Sequence, residues 1–90
     1  MTILQIVAAI RIVEGIHSHH PYGIMIKCTN PKQVCINTIT HYQRDWLSSK
    51  AQQQFYHGDF LNYCADRYCP MSVDLVGNRN WKTNIHKIIK

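Results

Sequence analysis

Glu14 is the only glutamate in the chain and closes an apolar run, Thr2-Ile-Leu-Gln-Ile-Val-Ala-Ala-Ile-Arg-Ile-Val-Glu14-Gly15. On a helix advancing about 100° per residue, Glu14 falls within about 40° of Ile3, Val7 and Ile10. Its carboxyl therefore leans toward the apolar side of its own helix. Lost hydration there disfavours the charged form and raises the pKa, as a general acid working near neutral pH requires. Gly15 can end the helix and leave the acid at the rim of a cleft.

Further chemistry-bearing residues follow at once. His17, His19 and His20 lie next to Glu14, and imidazole with carboxylate is a zinc ligand set. The helical His-x-x-x-His and Cys-x-x-Cys spacings are missing, so a solvated loop comes first, substrate contact by His20 second and metal third; neither metal nor cofactor is expected. Cys64 and Cys69 do not have the spacing of a zinc pair. The aspartates Asp45, Asp59, Asp66 and Asp74 lie far along the chain from Glu14, which favours a mechanism with a single carboxylate. Trp46 and Trp81 could stack on a ligand, but each falls on an apolar helix face and reads as core.

These groups must be positioned by a small scaffold. Ninety residues, 46% of them hydrophobic, allow one domain over residues 1–90 with one modest core. The expected fold is mainly α, about four helices with room for a short β-hairpin after the first. The first helix covers about residues 2–14, and its nearly all-round apolarity makes it central and leaves a dimer open. The turn residues of 16–23 predict a loop leading into an extended Ile24-Met-Ile-Lys-Cys28. Asn30-Pro31 starts a second helix running to about Lys50, with Val34, Cys35, Thr38, Ile39, Tyr42 and Trp46 on one face. Residues 51–54 extend it or form a connector. Asp59 caps a third helix, Phe60 to about Tyr68, with Phe60, Leu61, Cys64 and Ala65 inward. Gly77-Asn78-Arg79-Asn80 reads as a loop whose asparagine caps a last helix carrying Trp81, Ile85, Ile88 and Ile89.

Ten Lys plus Arg against five Asp plus Glu give a formal charge of +5. This suits an anionic partner, but the bases are scattered without the dense stripe of a nucleic-acid footprint. No stretch approaches the roughly 20 apolar residues of a membrane span. The N-terminal run lacks a basic leader and reads as a structural helix rather than a signal peptide. The four cysteines allow three complete disulfide pairings. Cys35 and Cys64 fall among apolar residues, which favours buried free thiols over an oxidised framework.

Ala9-Ile-Arg-Ile-Val-Glu14-Gly15, a short loop and Pro21-Tyr-Gly-Ile-Met25 together resemble the catalytic segment of soluble lytic transglycosylases and goose-type lysozymes. In that family a helix ends in glutamate and a small residue, and a Gly-Leu-Met-like element forms the wall of the sugar cleft. Asp59-Phe-Leu, Arg67-Tyr-Cys-Pro70 and Asn80-Trp81 are more loosely similar to segments of compact phage and bacterial cell-wall glycosidases, including glucosaminidase-like ones. The family's Ser-x-x-Gly-Ala is replaced here by His-Ser-His-His-Pro-Tyr, the glutamine after methionine is Ile26, and the later Tyr-Asn-x-Gly element has no counterpart.

The resemblance implies a lysozyme-like domain that cleaves peptidoglycan or a related amino-sugar polymer, as a glycosidase or lytic transglycosylase acting outside the cytoplasm. Glu14 takes the place of the catalytic acid, and Gly23, Ile24 and Met25 that of the cleft wall. Tyr22, Tyr63 or Tyr68 would donate hydrogen bonds to substrate, Tyr22 foremost. After protonating the leaving oxygen, Glu14 would accept a proton from the sugar's own hydroxyl and give an anhydro product. The reading from another class is a noncatalytic basic module binding nucleic acid or a protein.

Overall fold

The computed structural model describes residues 1–15, 20–24 and 28–89. The described residues form an all-α domain: α1 (Ile3–Val13), a 3-10 turn (Pro21–Gly23), α2 (Pro31–Leu47), α3 (Lys50–Phe55), α4 (Phe60–Tyr68) and α5 (Leu75–Ile88). None of these helices is long and apolar enough to cross a membrane.

Each helix begins on a side-chain cap that answers amide protons left free in the first turn. Thr2 and Gln5 form a capping box on α1. Asn30 caps α2 with Pro31 in its first turn, and Asp59 caps α4. Both agree with the sequence reading.

Two boundaries differ from it. α2 stops at Leu47, because Ser49 turns extended and caps a separate α3 by accepting the Gln52 N–H at 3.3 Å. Gln53 Nε2 then donates to the Trp46 carbonyl at 2.8 Å, supplying a partner at the end of α2. The described residues thus hold five helices rather than about four. α5 starts earlier than expected: Asp74 accepts the Gly77 N–H at 2.8 Å, so residues 77–80 lie inside the helix and not in a loop.

The expected hairpin is not part of the described fold. Ile24 is extended, residues 25–27 fall outside the described set, and no strand occurs among the described residues.

α1 packs against α2, α5 and the 3-10 turn, while α4 joins α2 to α5. The core combines Ile6, Val7, Ala9 and Ile10 of α1 with Cys35 and Ile39 of α2, Leu61, Cys64 and Ala65 of α4, and Trp81 and Ile85 of α5. Each fully buried aliphatic side chain of this kind contributes about 1.5–3 kcal/mol. Both tryptophans are buried, as read from the sequence. The cysteines are free thiols; burial, chiefly, pushes Cys64 up to about 12 and leaves it chemically quiet.

Asn78 locks the α4–α5 joint. It is only 1% exposed, and its Nδ2 donates to the Cys69 carbonyl at 2.8 Å and to Asp66 Oδ1 at 3.0 Å. Asp66 also pairs with Lys82 at 2.8 Å and accepts from the Tyr56 hydroxyl at 2.7 Å. Burial raises the Asp66 pKa, but these bonds outweigh it and hold the carboxyl below its ordinary value.

Candidate functional site

Glu14 is the residue that leaves α1. Its own N–H still bonds the Ile10 carbonyl at 2.9 Å, and Gly15 then turns the chain at φ 92°. Only glycine enters that region without cost. The acid is therefore fixed at its backbone while its side chain reaches past the helix end.

Two distant segments close on that carboxyl. Trp81 on α5, 3% exposed, donates Nε1–H to Glu14 Oε1 at 3.1 Å. From the other segment comes Gly23, whose missing side chain leaves the needed space. A Cβ there would fall 2.9 Å from both the carboxyl carbon and Oε2 of Glu14.

Glu14 is half-buried, and this desolvation raises its pKa; the Trp81 hydrogen bond opposes the rise without cancelling it. No cation pairs with Glu14 among the described residues. Such a carboxyl holds its proton more tightly than a solvated glutamate.

Beside it opens a cleft of about 250 Å³ lined by Val13, Glu14, Cys69, Asp74, Gly77, Asn80, Trp81 and Asn84. A larger hollow of about 430 Å³ lies between α1 and the end of α5. Its lining, Met1, Gln5, Ala8, Ala9, Ile12, Ile88 and Ile89, has no acidic, basic or nucleophilic side chain. Larger hollows than the Glu14 cleft therefore exist, but chemistry places the candidate site at Glu14.

The remaining expected site residues fall in different places. Tyr22 is only 4% exposed, does not line the cleft, and lies under the Arg11 guanidinium at 5.5 Å. Its backbone has φ 61°, a strained conformation for a non-glycine residue. The Tyr68 hydroxyl donates to the Tyr22 carbonyl and lies 3.7 Å from Cys35 Sγ. The Tyr68 ring also sits 5.8 Å from that of Trp81. Tyr22 and Tyr68 thus brace Gly23 and Trp81, the two neighbours of the acid.

Tyr63 is buried, with its hydroxyl accepting from Arg67 at 2.8 Å. Ile24 follows Gly23 and packs on the core. His20 is exposed at the start of the 3-10 turn. Met25, His17 and His19 lie outside the described residues. Among those described, no three His, Cys, Asp or Glu side chains gather as a metal site.

Sequence reasoning missed the α5 wall. Asp74, set aside as remote in the chain, lines the same cleft as Glu14. Cys69 lies near both acids: burial first, then Asp74 and Glu14, raise its thiol pKa. The available signal was Asp74-Leu-Val-Gly77, an aspartate cap whose helix carries Gly77, Asn80 and Asn84 at spacings of three and four.

No known protein family, curated protein or solved structure matches the chain.

Proposed function

We propose that this domain cleaves glycosidic bonds in peptidoglycan or a related amino-sugar polymer, with Glu14 as proton donor, on a small lysozyme-like helical fold. The observation that carries the reading is the seat of the Glu14 carboxyl, half-sheltered between Trp81 and Gly23 at the edge of an open cleft. Breaking a glycosidic bond requires a proton on the leaving oxygen, supplied by an acid still protonated near neutral pH. The raised pKa and lack of a cation partner among the described residues suit that role.

The approach of Gly23 to Glu14 also gives physical sense to the motif resemblance. Glutamate at a helix end and glycine after a loop belong together because the glycine makes room for the acid. The cleft is below the range of about 300–1,000 Å³ usual for drug-sized ligands. It suits one unit of a strand whose remainder lies across the surface. Asn80 and Asn84 offer amide donors and acceptors to hydroxyl and acetamido groups, and the net charge of +5 favours approach to a carboxylate-bearing polymer.

Cell-wall zymography with the wild type and Glu14→Gln tests the proposal. Clearing by the wild type and none by the folded variant supports it. A wild type without turnover that binds DNA or RNA in a steeply salt-dependent way supports the basic-module reading instead.

A further inference from the structure

Both carboxyl groups on the cleft are seated against a glycine. Glu14 leans on Gly23; Asp74 leans on Gly77, where a Cβ would fall 2.3 Å from Asp74 Oδ2 and 2.7 Å from its carboxyl carbon. Asp74 is fixed through one oxygen only. Oδ1 accepts the Gly77 N–H at 2.8 Å, while Oδ2 has no donor among the described residues. Nor does a Lys, Arg or His pair with Asp74 among those residues. The backbone bond orients this carboxylate and leaves its second oxygen free to accept a proton.

Resting on the reading of Glu14 as proton donor, we propose that Asp74 is the second catalytic carboxylate and that the bond is cleaved by water, not by the sugar's own hydroxyl. Glu14 gives its proton to the leaving oxygen as the C–O bond breaks, and the bonding electrons depart with that oxygen. Water bonds to the anomeric carbon as Asp74 Oδ2 takes one of its protons. The products are a free reducing end and an alcohol, with one water consumed per bond. Glu14 is left ionised and Asp74 protonated, and exchange with solvent restores both.

The cap role of Asp74 makes the proposal testable without loss of fold. Asparagine and serine cap helices about as well as aspartate, but neither is a base toward water. Peptidoglycan is digested in ¹⁸O-water by the wild type, Asp74→Asn, Asp74→Ser and Glu14→Gln, with products read by mass spectrometry. One ¹⁸O in each new reducing end is expected from the wild type. Turnover should fall about 100-fold in both Asp74 variants at near wild-type melting temperature. Added formate, an external carboxylate, should restore part of the activity of Asp74→Ser, which a purely structural defect would not allow.

Unlabelled anhydro ends from an active wild type, or Asp74→Asn turning over at the wild-type rate, overturn the role of Asp74 and leave Glu14 untouched. A wild type that cuts nothing overturns both.

Discussion

Trp81 Nε1 and Glu14 Oε1 meet at 3.1 Å although 67 positions separate the two residues in the chain. This bond joins the end of the first helix to the middle of the last and ties one oxygen of the acid in place. It also moderates the pKa rise that burial imposes on Glu14.

Replacing Trp81 by phenylalanine keeps an aromatic ring and removes the N–H. The Glu14 pKa should rise further, because the opposing hydrogen bond is gone while the burial remains. Activity that needs protonated Glu14 should then persist to higher pH, with the maximum rate down by roughly tenfold, about 1.4 kcal/mol in barrier. The measurement is the pH profile of kcat; an unmoved alkaline limb would contradict this account of the acid.

Gly23→Ala should injure the site in two ways. The added methyl meets the Glu14 carboxyl at 2.9 Å, and φ +70° disfavours any L side chain. The backbone strain costs about 1–2 kcal/mol, read as a lower melting temperature. Displacing the acid by about an ångström should reduce turnover on the order of 100-fold.

Glu14→Gln should stabilise the protein at neutral pH. The wild-type carboxyl has a folded pKa above its unfolded value, so its favourable contribution is present below the unfolded pKa and fades as pH rises through the folded one. Glutamine retains an acceptor for Trp81 and carries no charge to desolvate. Melting curves from about pH 4 to about pH 7 should show the variant gaining on the wild type as pH increases. Parallel curves would argue that the carboxyl is not sheltered.

Tyr68→Phe leaves the Tyr22 carbonyl without its hydroxyl donor. A loss of about 1–3 kcal/mol in unfolding free energy is expected for an unsatisfied buried acceptor. Because Tyr22 holds a left-handed conformation immediately before Gly23, kcat should fall more than KM changes. An equal loss in Tyr63→Phe, remote from this brace, would indicate a general stability effect.

Local physics made much of this legible. The period of the first helix turned Glu14 inward, Gly15 announced its end, and Asn30-Pro31 and Asp59 marked two helix starts that the structure shares. The start of α5 was misread because Asn78 and Asn80 are also good caps; burial of the Asn78 side chain in the α4–α5 joint sets it aside. Nothing near Glu14 in the sequence announces Trp81 or Asp74, since pairings over such separations arise only when α5 packs on α1. Tyr22 looked available as a turn residue, but its ring is drawn inward.

The two indoles serve as separate optical probes. Trp46 is surrounded by Tyr63, Phe60 and Tyr56 at 5.1, 5.6 and 6.2 Å between ring centres, whereas Trp81 touches the acid itself. With either one replaced by phenylalanine, the emission left behind reports a single neighbourhood. Occupancy of the cleft and melting of the aromatic cluster can then be watched independently in the same small chain.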